Sequence, residues 1–75
     1  MNIYFVENAS NRLMHAMVGG DPKLFKVGDH VSITTDKEFG RKIEVGGVIA
    51  AIRHNISDLK GQEPQHSLSV HLQTY

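Results

Sequence analysis

Five histidines, His15, His30, His54, His66 and His71, are the residues of this 75-residue chain best suited to chemistry. A neutral imidazole binds borderline metals, and the ring changes charge near neutral pH. A metal site, however, needs its ligands to converge on one point. His66 and His71 stand five apart, so on one regular strand they project from opposite faces. They can chelate together only if His66 precedes the strand. His15, His30 and His54 converge only through tertiary structure that their spacing does not dictate. The five are read as structural or solvated side chains with a modest response at about pH 6–7. No metal site and no cofactor is expected.

Covalent catalysis has little to build on. The chain has no cysteine, so thiolate nucleophiles and thiolate metal sites are both excluded. Ser10, Ser32, Ser57, Ser67 and Ser69 sit in no nucleophile-elbow motif. The eight acids, Glu7, Asp21, Asp29, Asp36, Glu38, Glu44, Asp58 and Glu63, are scattered among turn residues and charged stretches. Gly19-Gly20 and Gly46-Gly47 lack the lysine and the helix opening of a phosphate loop. A substrate pocket commonly takes roughly 300–1,000 Å³, much for so short a chain. No catalytic residue is assigned, and the expectation is a protein that is not an enzyme.

Binding chemistry is better represented. Lys37, Arg41 and Lys42 flank Phe39, and an exposed aromatic between cations suits a single nucleic-acid strand. Asp36 and Glu38 partly cancel that field, and Phe39 folded inward would simply cap the core. The second candidate is an apolar surface. Tyr4 and Val6 alternate with Ile3 and Phe5, and Leu13 and Met17 oppose Met14, Ala16 and Val18. A single small core cannot bury both sets, so Tyr4, Val6, Leu13 and Met17 are the candidate interface. The competing reading is that the 55–65 segment covers them.

The elements that position these residues follow from periodicity. Residues 67–73 alternate strictly, with Leu68, Val70 and Leu72 inward, as in a half-buried strand. Residues 30–35 form a second strand with Val31 and Ile33 inward, after a Gly28-Asp29 turn. Residues 43–53 form a third whose apolar phase flips, and the flip is placed as a β-bulge at Gly46-Gly47. Residues 36–42 join the two as a hairpin loop. Residues 55–65 are read as a loop pinned by Ile56 and Leu59, with room for one helical turn from Ser57. Ile3 to Val6 is a strand, and 13–18 is its hairpin partner through a turn at 8–11. The alternative for 11–18 is a short helix capped by Ser10 and stopped at Gly19-Gly20.

Phe25 and the Gly28-Asp29 turn before His30–Ile33, then Val45-Gly46-Gly47-Val48, then Ser69–Leu72, resemble the strand grammar of SH3-like small barrels over residues 24–74. That resemblance implies a fold class and no function, because such barrels carry many activities. The expected fold is therefore mainly β, a small and strongly bent antiparallel sheet or SH3-like barrel of about five strands. The helical alternative would make it α+β. One domain spans residues 1–75. Its surface burial of about 60% and a stability on the order of 4–11 kcal/mol follow from its size.

Composition bounds the partners. Eight basic and eight acidic residues cancel, which removes the long-range field that nonspecific nucleic-acid binding uses. No apolar run approaches the ~20 residues of a bilayer span, and no signal-peptide pattern opens the chain. A cysteine-free domain of this size fits a cytoplasmic protein of bacterial or phage type. The functional expectation is an interaction module that self-associates or docks a protein partner through its N-terminal strands. A nucleic-acid binder using Lys37, Phe39, Arg41 and Lys42 is the alternative, and no membrane partner is expected.

Overall fold

The computed structural model describes residues 1–37 and 40–75, with side chains at all of these except Lys37 and Arg41. Five strands are present: β1 (Asn2–Glu7), β2 (Leu13–Val18), β3 (His30–Lys37), β4 (Arg41–Ser57) and β5 (Gln65–Thr74). A 3-10 turn spans Pro22–Leu24, where the Asp21 carboxylate accepts from the Lys23 N–H at 2.9 Å. The mainly β expectation holds, and the helical alternative at 11–18 is replaced by β2.

The strands form one sheet in the order β2-β1-β5-β4-β3. Every neighbouring pair is antiparallel except β1 and β5, which run parallel. The sheet is thus mixed rather than purely antiparallel. It ends on two free edges, β2 and β3, so the barrel does not close.

β5 lies at the centre because its alternation is the cleanest in the chain. Leu68, Val70 and Leu72 are wholly buried, and each finds an apolar partner on a neighbouring strand. Ile3 lies beside Leu68 and Phe5 beside Val70 on β1, while Ile49 lies beside Leu72 on β4. The chain after β2 then crosses this face. Gly20 sits so close to it that a Cβ there would fall 2.3 Å from Ile3 Cδ1. Phe25 follows and meets the Phe5 ring edge-on with centroids 5.7 Å apart. Gly28 turns the chain with φ +95 and donates its N–H to the Ile49 carbonyl at 2.9 Å, as the Gly28-Asp29 turn requires.

β4 is 17 residues long and serves two partners, β3 along its first half and β5 along its second. The phase flip expected within it is real but lies elsewhere. Pairing with β3 runs unbroken through Gly46 and Gly47, and the register shift falls between Ile49 and Ala51. Ile43, Val45, Gly47 and Ile49 therefore keep one phase, and Ala50 is the extra residue that passes the core face to Ile52. The glycines answer a different demand. A Cβ on Gly47 would lie 2.8 Å from the Gln73 carbonyl oxygen, so β4 and β5 approach here too closely for a side chain.

Two further expectations are corrected. The loop read at 55–65 is shorter, because β4 continues to Ser57 and β5 begins at Gln65. Ile56 and Leu59 do not pin it: they are 73% and 57% exposed. Ile56 extends β4 beyond the last core layer, opposite His66 rather than an apolar residue. No helical turn forms from Ser57.

Candidate functional site: the β1–β2 outer face and edge

β1 and β2 pair as a hairpin through a turn at residues 8–11, in which Asn11 takes φ 56. The Ser10 hydroxyl donates to Glu7 Oε1 at 2.7 Å, and Arg12 Nη2 stands 3.7 Å from Glu7 Oε2. The two strands thus close on a polar clasp, while nearly everything beyond it is apolar. The ladder runs Asn2↔Val18, Ile3↔Met17, Tyr4↔Ala16 and Phe5↔His15, then slips so that Val6 faces Leu13.

That slip sorts the side chains. Partners across a ladder share a face, so Tyr4, Val6, Leu13, Ala16 and Val18 lie on the outer face. Ile3, Phe5, His15 and Met17 lie on the core face, where the His15 ring stacks on Phe5 with centroids 6.3 Å apart. Met14, the extra residue at the bulge, also packs against the core. Three of the four residues expected to share a surface therefore do so. Met17 does not: it lies opposite buried Ile3 and packs against the core. Ala16 and Val18 take its place outside. The bulge decides this, and nothing in Leu-Met-His-Ala-Met-Val announces where a bulge will fall.

β2 is an edge strand. Gly19 donates its N–H to the Met1 carbonyl at 3.1 Å, which makes that pair a hydrogen-bonded one. Hydrogen-bonded and open pairs alternate along an antiparallel ladder, so Met17 and His15 turn their backbone groups toward β1. Ala16 and Val18 consequently turn theirs off the sheet. Natural edges are usually guarded by charge, proline or a strong twist. β2 contains no Asp, Glu, Lys, Arg or Pro, whereas the opposite edge, β3, ends in Asp36 and Lys37. On β2, Leu13 is 57% exposed and Val18 86% exposed.

The remaining candidates are dispersed or lie elsewhere. Phe39 and Glu38 fall outside the described residues, as do the side chains of Lys37 and Arg41. Lys42 is exposed. Among the described residues no group of three or more metal-ligating side chains converges. His30 stacks on Tyr75 with centroids 6.0 Å apart, and its Nδ1 is hydrogen-bonded to the Tyr75 hydroxyl. His71 lies on β5 opposite Ala51 and is half-buried. The pair that sequence spacing missed is His54 and His66, whose Nδ1 and Nε2 are 2.9 Å apart. His54 and His66 fall just outside the expected strands at 43–53 and 67–73, so spacing alone does not supply the β4–β5 register that joins them.

A groove of about 460 Å³ opens between Leu13 and Met14 at the start of β2 and Thr35, Ile43 and Val45 on the β3–β4 hairpin. No helix of the described residues is long and apolar enough to cross a membrane. Comparison with protein-family models, with curated proteins and with solved structures finds no match to this chain.

Proposed function

We propose that the protein is a non-enzymatic interaction module that self-associates edge to edge through β2. The observation that carries this reading is an edge strand with no charged residue and no proline, its Ala16 and Val18 backbone groups directed off the sheet. A second copy approaching antiparallel can set Ala16 against Val18 of the other chain and Val18 against Ala16. Both free residues are then used twice, giving four backbone hydrogen bonds about a twofold axis at Met17. A twofold contact of this kind needs only one self-complementary patch. Small Ala16 lies beside larger Val18 on the joined outer face, continuing the row that Tyr4 begins. Full burial of one exposed Val or Leu side chain contributes about 1.5–3 kcal/mol, and Val18 and Leu13 both have surface to give. The zero net charge of the chain leaves no long-range repulsion between copies. A different protein offering an extended strand would use the same edge in the same way.

Sedimentation or light scattering at micromolar concentration tests the reading. Twice the chain mass is expected, and Val18→Lys or Ala16→Lys should return it to one chain without unfolding it. The hairpin reading, with Lys37, Phe39, Arg41 and Lys42 contacting a single nucleic-acid strand, is the second proposal. It requires an affinity for single-stranded nucleic acid that falls steeply with salt.

A further inference from the structure

We propose that His54 and His66 form a two-nitrogen site for a borderline divalent cation, Cu²⁺ foremost. The β4–β5 ladder sets His54 opposite Leu68 and Ile56 opposite His66. The two histidines are thus diagonal neighbours on one face, held by strands that are paired on both sides of them. His54 Nδ1 and His66 Nε2 stand 2.9 Å apart, with ring centroids 5.1 Å apart and the planes tilted by 31°. Both side chains are exposed, so an ion reaches them without opening the core. Arg53 pairs with Ser69 on the opposite face, which turns its charge away from the pair.

Two neutral imidazoles in this position share a single N–H between them. When the donor ring passes that proton through water to its own other nitrogen, both rings stay neutral and a cation can take a lone pair from each facing nitrogen. With metal–nitrogen bonds of about 2.1 Å, ligands at a right angle sit about 3.0 Å apart and tetrahedral ligands about 3.4 Å apart. The observed 2.9 Å is the length of the N–H···N hydrogen bond, and small rotations of two exposed rings reach either geometry from it. Cu²⁺ heads the intrinsic affinity order for nitrogen ligands, so it is the ion expected to bind most tightly. Water fills the other positions, because no third protein ligand converges among the described residues.

The untagged chain titrated with CuCl₂, NiCl₂ and ZnCl₂ at neutral pH provides the test. One ion per chain is expected, with Cu²⁺ bound more tightly than Ni²⁺ or Zn²⁺. Paramagnetic Cu²⁺ should broaden the His54 and His66 ring resonances before those of His15, His30 and His71. His54→Ala and His66→Ala should each weaken binding by about tenfold or more, and His30→Ala should leave it unchanged. Circular dichroism of the variants establishes that they fold. Absence of binding by the folded wild-type chain, or binding untouched by either substitution, would overturn the proposal. So would an ion that doubles the mass of a Val18→Lys chain, because its ligands would then come from two copies.

Discussion

Gly46 and Gly47 are adjacent and chemically identical, yet their surroundings assign them different costs of substitution. A Cβ on Gly47 meets the Gln73 backbone oxygen at 2.8 Å, and backbone in a central ladder cannot step aside. A Cβ on Gly46 meets the Tyr75 ring at 3.1 Å, and that residue is 83% exposed. Gly47→Ala should therefore destabilise by about 1–3 kcal/mol, as overpacking does, while Gly46→Ala should cost far less. Urea denaturation of the two variants measures the contrast directly; equal costs would place the constraint elsewhere. Asn11 offers a second check. Its φ of 56 is tolerated by Asn and Gly, so Asn11→Ala should cost about 1–2 kcal/mol and Asn11→Gly close to none. The Gly28 turn was legible because Gly-Asp before a β-branched run is a local signal. The need for glycine at 47 was not, because it arises from Gln73, which is distant in sequence.

At the level of elements, legibility followed periodicity. β5 announced its own faces, and β3 did so nearly as clearly. β2 did not, because Leu-Met-His-Ala-Met-Val has helix-forming residues without a clean period of either kind. Its conformation is settled by the register with Ile3 and Phe5, a tertiary fact. The phase flip in β4 was visible as a pattern, but Gly46-Gly47 drew it three residues too early. Sequence shows that an apolar phase changes, whereas the partner strand decides which residue is squeezed out. The parallel pairing of β1 with β5 was also out of reach, since chain direction leaves no mark on side-chain alternation. The central role of β5 carries its own expectation. Leu68→Ala or Val70→Ala removes a wholly buried side chain. The Leu68 change should cost about 2–5 kcal/mol, and the smaller Val70 change less. Against a stability on the order of 4–11 kcal/mol, the Leu68 change should lower the urea midpoint severely. A midpoint shift no larger than that of an exposed-site control such as Leu59→Ala would remove β5 from the centre of the core.

The whole molecule measures 44 × 30 × 23 Å, with a radius of gyration of 13.8 Å, above the roughly 11 Å of a compact chain this long. The excess fits an open sheet with a long β3–β4 hairpin and two unjoined edges. One edge ends in charge and the other carries no Asp, Glu, Lys or Arg. A sheet that leaves such an edge bare invites pairing, and pairing copies in one fixed register turns that hazard into a defined contact. Sequence reasoning reached the apolar surplus of the N-terminal strands but misassigned Met17, because it could not see the bulge at Met14. With Ala16 and Val18 outside, substitutions on the free edge test the contact, whereas Met17→Lys would damage the core. The most direct measurement of self-association is therefore the solution mass of the wild-type chain beside the Val18→Lys chain, by sedimentation equilibrium at micromolar concentration. Twice the chain mass for the wild type and a single folded chain for Val18→Lys is the expected result; a wild-type chain that remains single would contradict edge-to-edge self-association.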